Sequence, residues 1–219
     1  MKRGSATKHI LALSLTAAII CTSAAELIPE GFSCTPDMPR RSGVYSTPPN
    51  INSVKVDLIH VFCGQVSDEY GVGGFHARPG DKDPESVVTS DDILSRKPAN
   101  EYDYSVYKKP SIYDSREGAY VIKPASSSVW PTVLTMEGIT QITTYLVDKC
   151  RPPPDHHLCV SDFSVLPGDP ISPVFDVRII IIPVNGVGRV ALTAYPLKRG
   201  SCSRAKENFS RCTFPGLSF

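Results

Sequence analysis

Two histidines, His60 and His76, lie close together in the sequence, and glycines flank both segments that carry them. The stretch Leu-Ile-His-Val-Phe predicts a short strand over residues 58–62, and a glycine-rich turn over residues 71–74 leads into His76. Such a turn can bring both imidazoles to one surface. Because an unperturbed imidazole titrates near pH ~6.5, one ring can accept a proton while the other donates one. Cleavage of RNA through its own 2′-hydroxyl requires such an acid–base pair.

Three motifs in a fixed order give this histidine pair a context. His60 begins His-x-x-x-Gly, His76 ends Gly-Gly-x-His, and Thr193 begins Thr-x-Tyr-Pro. Over residues 56–197 the chain therefore resembles the EndoU family of endoribonucleases, most closely its bacterial toxin-type branch. The resemblance implies cleavage of single-stranded RNA, usually at uridine, to a 2′,3′-cyclic phosphate and a free 5′-hydroxyl. It implies His60 and His76 as the catalytic pair, in either order, Thr193 as a hydrogen-bonding partner of the base, and Tyr195 as a ring that stacks on or orients the base or ribose.

The family generally adds a lysine that stabilises the charge that develops on the phosphorane, a contact of the kind worth ~2.7–4 kcal/mol. Arg78, Lys82 and Lys123 are the candidates for this cation, and we expect Arg78 or Lys123 to provide it. No cofactor is expected, with manganese as the alternative, because members of the family differ in their metal requirement.

The first 25 residues have the composition of a secretory signal peptide. Lys2, Arg3 and Lys8 precede an apolar run over residues 10–20, and small residues follow over residues 22–25. The run is too short for a transmembrane helix, which needs ~20 apolar residues. We therefore expect a secreted, extracellular mature protein without a membrane attachment.

Six of the seven cysteines follow the predicted signal peptide, and an even number in an exported chain favours disulfides. Proximity in the sequence predicts the pairs Cys34–Cys63, Cys150–Cys159 and Cys202–Cys212. The first of these would anchor the segment that carries His60. A disulfide between Cys150 and Cys159 would also remove the thiolates that could join the histidines at 156–157 around zinc, so no metal site is predicted.

Hydrophobic patterning predicts an α+β fold of antiparallel β-sheets with one main amphipathic helix, stabilised by disulfides. Thr135 is a suitable N-cap, and apolar residues recur at helical spacing from Ile139 to Val147. The proline run after Arg151 should end this helix. The apolar stripe indicates packing against a core.

The C-terminal half predicts a β-hairpin. A strongly apolar strand over residues 174–183 is followed by Asn185-Gly186, a turn signal, and by a return strand over residues 188–195. Alternation along the return strand places Thr193 and Tyr195 on one face.

The predicted organisation is a signal peptide over residues 1–25, an irregular arm over 26–54, an EndoU-like domain over 55–200 and a tail over 201–219. An insertion around residues 81–120 is polar and rich in tyrosine. Its composition predicts a surface segment with a hairpin or, alternatively, an aromatic platform for unpaired bases. Within the tail, Asn208-Phe209-Ser210 matches a glycosylation sequon, relevant in a eukaryotic host.

The net charge of +1 argues against a broad nucleic-acid-coating surface, which an enzyme that engages one or two phosphates would not need. RNA is the expected partner of a monomeric protein, with a host or immunity protein as an alternative partner. Two other functions stay open: a catalytically inactive, secreted EndoU-like effector that binds RNA or protein, and an unrelated β-rich binding module. Ring separations of roughly 4–8 Å between His60 and His76 would favour the enzyme.

Overall fold

The computed structural model describes residues 27–41, 43–48 and 50–214, so the predicted signal peptide lies outside the described residues. Thirteen strands follow one another along the chain: β1 (Lys55–Val56), β2 (Gln65–Ser67), β3 (Gly71–Gly73), β4 (Val87–Val88), β5 (Leu94–Arg96), β6 (Ser105–Tyr107), β7 (Ser111–Asp114), β8 (Ala119–Ile122), β9 (Ser127–Val129), β10 (His157–Phe163), β11 (Phe175–Val184), β12 (Gly188–Leu197) and β13 (Phe209–Thr213). One long helix, α1 (Met136–Cys150), lies between β9 and β10. Short helical turns cover Met38–Arg40, Ile59–Cys63, Pro79–Asp81, Asp91–Ile93 and Cys202–Arg204.

The main sheet has the strand order β1-β12-β11-β10-β13. Strands β11 and β12 form the predicted antiparallel hairpin, and Gly186 in its turn has the positive φ of 74° that the Asn-Gly signal indicates. The two edge strands, β1 and β13, pair in parallel with their neighbours. The residues after 200, expected to form a tail, thus include a strand of this sheet. Mainly antiparallel sheets with one main helix confirm the predicted α+β class.

Helix α1 forms as its sequence predicts. The hydroxyl of Thr135 accepts a hydrogen bond from the Gly138 backbone amide at 3.0 Å, which satisfies one of the unpaired amides of the first turn. At the other end Arg151 adopts a left-handed conformation, and the prolines that follow cannot extend the helix. The buried stripe of α1 includes Ile139 and Leu146, which join the main hydrophobic core together with residues of the main sheet.

The strand predicted over residues 58–62 is wrong. These residues lie in the helical turn Ile59–Cys63, in which Ile59, Val61, Phe62 and Cys63 are all buried. A short run that is apolar throughout shows neither the period of a strand nor that of a helix. It is therefore compatible with either a buried strand or a buried helical segment.

Three small sheets complete the fold, with the orders β2-β3, β4-β7-β8 and β5-β6-β9. Residues 81–120 contain strands β4 to β7 and the start of β8, and β7 and β8 form the predicted hairpin. The segment also contributes Val87, Tyr107 and Ile112 to a second hydrophobic core. Because Tyr104 and Tyr107 are buried, the tyrosines of this segment do not share one exposed stacking surface.

Three disulfides connect cysteines of the described residues: Cys34–Cys63, Cys150–Cys212 and Cys159–Cys202. The predicted Cys34–Cys63 bridge is confirmed, whereas Cys150–Cys159 and Cys202–Cys212 are wrong. The reason is the parallel pairing of β13 with β10, which places Cys212 opposite Val160 and leaves the turn at Cys202 close to Cys159.

Candidate active site

His60 lies in the helical turn, and hydrogen bonds orient both its backbone and its ring. The buried carboxylate of Asp57 accepts a bond from the His60 amide at 3.0 Å, and the Asp57 amide donates to the carbonyl of Ala191 on β12. The imidazole Nδ1 lies 2.9 Å from Gln65 Oε1. With the amide oxygen as acceptor, Nδ1 carries the proton and Nε2 keeps its lone pair.

His76 is held beside His60 by the backbone. The amides of Phe75 and His76 donate to the carbonyls of His60 and Val61 at 2.8 and 2.7 Å. Gly74 has a φ of 69°, and a side chain at this position would collide with the carbonyl of His60. The glycine of the Gly-Gly-x-His motif is therefore required for the close approach of the two segments.

The two imidazoles face each other across the site. Their ring centroids are 6.0 Å apart and their planes are inclined by 28°, within the range expected for an acid–base pair. His76 Nδ1 lies 3.0 Å from the backbone carbonyl of Ser128 on β9. Because a carbonyl can only accept, Nδ1 of His76 is protonated, and Nε2 is the nitrogen that can take up a further proton.

Of the three candidate cations, Lys123 is the one whose charge acts on both histidines. Its buried ammonium group donates to the Gly74 carbonyl and to Ser127 Oγ, both at 2.7 Å, and the third of its N–H donors has no partner among the described residues. Burial lowers the pKa of Lys123 to about 8, so the group stays mainly charged at neutral pH.

Arg78, the other candidate for this role, is engaged elsewhere. Its guanidinium forms ion pairs with Asp81 and Asp83 at 3.0 and 2.6 Å and contacts the hydroxyl of Tyr107. Lys82, next to Asp81, follows the same short helical turn and is exposed.

Strand β12 supplies the second wall of the site. The ring of Tyr195 stacks on His76, with centroids 4.9 Å apart and planes inclined by 20°. Thr193 is buried, and its hydroxyl has no hydrogen-bond partner among the described residues. Trp130 Nε1 donates to the carbonyl of Ala194 at 2.8 Å and so fixes this part of β12 to the segment after β9.

The electrostatics of the site favour neutral imidazoles. Burial lowers the pKa of His60, the charge of Lys123 adds to that effect, and the hydrogen bond to Gln65 opposes it. Burial lowers the pKa of His76 well below its ordinary value, and the charges of Lys123 and His60 lower it further. His76 is therefore the more strongly held in its neutral form.

Several residues of the site escaped the sequence-based prediction. Asp57 and Gln65 orient His60, Ser127 binds Lys123, and the carbonyls of Gly74 and Ser128 accept from Lys123 and His76. A serine run ahead of Trp130 is visible in the sequence, yet the acceptor at residue 128 is a backbone carbonyl, which no residue type reveals.

No metal site or membrane span is found in the described part of the chain. No group of three or more His, Cys, Asp or Glu side chains is arranged there to hold a metal ion. Cys150 and Cys159 both belong to disulfides, so neither is a thiolate ligand for the neighbouring histidines. Between residues 27 and 214, as far as they are described, no helix has the length and apolar character needed to cross a membrane.

Searches against models of protein families, against curated proteins and against solved structures found no match to this chain.

Proposed function

We propose that this protein is a secreted EndoU-like endoribonuclease that cleaves single-stranded RNA at uridine. The observation that carries the proposal is the 6.0 Å separation of the His60 and His76 rings, with Lys123 hydrogen-bonded beside them. This combination supplies a proton acceptor, a proton donor and a positive charge around one phosphate. Three disulfides agree with export, because such bridges persist in oxidising compartments.

The different pKa shifts of the two histidines suggest a division of roles. His76, whose pKa is lowered further, is the base: its Nε2 takes the proton of the 2′-hydroxyl as the 2′-oxygen attacks phosphorus. His60 is the acid in its doubly protonated form: with Nδ1–H on Gln65, the second proton, on Nε2, is transferred to the 5′-oxygen as the P–O5′ bond breaks. The bound phosphate, a negative charge nearby, would raise the pKa of His60 in the complex. The products are a 2′,3′-cyclic phosphate and a free 5′-hydroxyl.

Lys123 stabilises the phosphorane through its third N–H donor. Because the other two donors are fixed on Gly74 and Ser127, the ammonium group is preorganised and needs no rearrangement during the reaction. Thr193, with its unpaired hydroxyl, hydrogen-bonds the base, and Tyr195 orients the base or ribose beside His76.

A catalytically inactive, secreted effector that binds RNA or protein is the second candidate function. The observation that favours it is the burial of His76, which is only 7% exposed and lies against Tyr195. In this alternative the stacked rings form part of a binding surface, and no 2′-hydroxyl reaches Nε2 of His76.

Cleavage of a uridine-containing RNA by the purified, oxidised protein separates the two functions. We expect cyclic-phosphate ends from the wild type, with EDTA or with manganese, and their loss in His60→Ala and in His76→Gln. His156→Ala is the matched control, because its ring contacts Ser210 and not the site. Wild-type cleavage no faster than that of the two site variants, with all proteins folded by circular dichroism, would favour the binding protein.

A further inference from the structure

The face of the main sheet that carries Tyr195 continues from the candidate active site. Paired residues of neighbouring strands point to the same face, so Tyr195 on β12, Arg178 on β11, Cys159 on β10 and Arg211 on β13 form one row. The adjacent row begins at Thr193 and ends at Phe209. Tyr195 and Thr193, the two proposed nucleotide-binding residues, are thus each the first residue of a row that leads from the histidines across the sheet.

A pocket of about 380 Å³ lies along these rows, and no acidic side chain is part of its lining. It is lined by His157, Arg178, Ile180, Arg204, Lys206, Asn208 and Phe209. The pocket begins on β11, the strand next to Tyr195, and reaches β13. At ~4.8 Å per strand it therefore lies roughly 5–14 Å from β12. We call it the sheet-face pocket.

Arg178 connects the sheet-face pocket with the active site. It lies directly opposite Tyr195, and its guanidinium carbon is 5.0 Å from the centre of the Phe209 ring. Its Nε atom is buried and has no hydrogen-bond partner within the described part of the chain. A buried donor without a partner is costly, and because Arg178 also lines the pocket, an anion bound there would stabilise its guanidinium charge.

The turn Cys202–Arg204 forms the wall of the pocket. The Cys159–Cys202 disulfide and a 2.7 Å hydrogen bond from the Cys202 amide to Asp176 hold this turn against the sheet. Arg204 and Lys206 are therefore exposed beside Arg178, and among the described residues neither forms an ion pair.

A second arginine-lined cavity, near Gln65, has a different charge balance. Each of its arginines is paired with an aspartate: Arg40 with Asp68 and Asp114, Arg41 with Asp37, and Arg116 with Asp68. Its positive charge is already compensated by protein carboxylates. The sheet-face pocket has no such compensation and is the better site for an external anion.

We propose that the sheet-face pocket binds a phosphate of a nucleotide that flanks the scissile uridine, so that the substrate is a single strand extended from Tyr195 over β11 into the pocket. Arg178, Arg204 and Lys206 contact the phosphodiester, and the strand leaves the active site past Tyr195. This proposal rests on the proposed function, because it assigns the second phosphate to the strand that His60 and His76 cleave.

Two substrates of different length test the assignment. The dinucleotide uridylyl-adenosine contains only the scissile phosphate, whereas a longer single-stranded RNA with one uridine can cross the sheet. We expect Arg204→Gln/Lys206→Gln to lower kcat/KM about tenfold on the longer RNA and to leave dinucleotide cleavage at the wild-type level. Lys97→Gln/Lys108→Gln, which removes two exposed charges elsewhere, is the matched control. Protein from a host without N-glycosylation keeps Asn208 unmodified.

A binding experiment without cleavage separates failure of this proposal from failure of the nuclease proposal. The same longer RNA with 2′-deoxyuridine lacks the attacking hydroxyl, so its Kd reports binding alone. The pocket variant should raise Kd and lower the slope of log Kd against log salt by ~0.7 for each phosphate that it no longer neutralises, and Arg178→Gln should also raise Kd.

Equal Kd and equal kcat/KM in the pocket and control variants would overturn the proposal, even if the wild type cleaves RNA. If the wild type does not cleave but Kd rises in the pocket variants alone, the nuclease proposal fails and the phosphate site stands.

Discussion

The imidazole of His76 and the ring of Tyr195 are stacked, with centroids 4.9 Å apart. The stack covers an imidazole whose pKa is already lowered by burial. Tyr195→Ala would expose His76 to water and should raise its pKa towards the ordinary value, whereas Tyr195→Phe keeps the ring and should leave that pKa unchanged. Titration of the His76 ring by NMR measures the difference. An unchanged pKa in both variants would show that Tyr195 does not shield His76.

The pH dependence of the proposed cleavage should follow from both histidines. Because burial and the charge of Lys123 lower the pKa of His60 and of His76, the bell-shaped profile of kcat/KM should have its maximum below pH ~6.5. On the acidic side activity falls as His76 becomes protonated, and on the alkaline side it falls as His60 loses its proton. A maximum at or above pH ~7 would contradict this assignment.

Lys123→Met should have two separable effects. Loss of the ammonium group should lower kcat by roughly 10²–10³, the usual cost of removing one preorganised donor. It should also move the pH optimum upwards, because the charge that lowers both imidazole pKa values is gone. Lys123→Arg keeps the charge and serves as the control for the second effect. A loss of activity in Lys123→Met without any shift of the pH optimum would show that the charge of Lys123 does not lower the pKa values of the two histidines.

Asp57 should make stability depend on pH between about 4 and 6. Burial raises its pKa to about 6, from 3.8 ordinarily, so the folded state binds the proton more tightly than the unfolded state. Its contribution to the free energy of unfolding should therefore decrease as pH rises through this range, by up to ~3 kcal/mol. Asp57→Asn keeps an oxygen for the His60 amide and removes the charge. Urea unfolding of both proteins from pH 4 to 7 measures the difference in slope, and parallel curves would contradict the prediction.

The Cys34–Cys63 bridge should matter for activity as well as stability, because Cys63 is the last residue of the turn that carries His60. With a sequence separation of 29, its removal in Cys34→Ala/Cys63→Ala should cost ~3.5 kcal/mol. Cys150→Ala/Cys212→Ala, with a separation of 62, should cost a similar ~4 kcal/mol and is the matched control. At temperatures where both variants are folded, only the first should lose cleavage activity. Equal activities would show that the turn keeps its geometry without the bridge.

Much of the fold could be predicted where local chemistry and tertiary structure agree. The Thr135 cap and the Asn185-Gly186 turn specify conformations at the positions where they occur, so α1 and the β11–β12 hairpin form as expected. The run at residues 58–62 has one local signal, Asp57, whose carboxylate accepts a hydrogen bond from the His60 amide three residues later, but its apolar composition is also typical of a strand. Its helical turn further depends on tertiary contacts, among them the hydrogen bonds from the Phe75 and His76 amides to the carbonyls of His60 and Val61.

The candidate site could be predicted only in part, for a related reason. His60, His76 and Tyr195 lie in recognisable motifs, Lys123 is one of three candidate cations without a motif, and the structure brings these four residues together. The carbonyl of Ser128, which sets the tautomer of His76, belongs to the backbone and has no signature in the sequence. Two of the three cysteine pairs could not be predicted from distance along the chain, because they depend on the long-range parallel pairing of β13 with β10.

The bridge between Cys34 and Cys63 forms only where thiols are oxidised. A newly made chain in a reducing cytoplasm would lack this tether, and the turn that positions His60 would be less constrained there. For the proposed exported nuclease, the geometry around His60 would then be completed only after export. The RNA of the cell that makes the protein would meet the proposed nuclease only in its less constrained form.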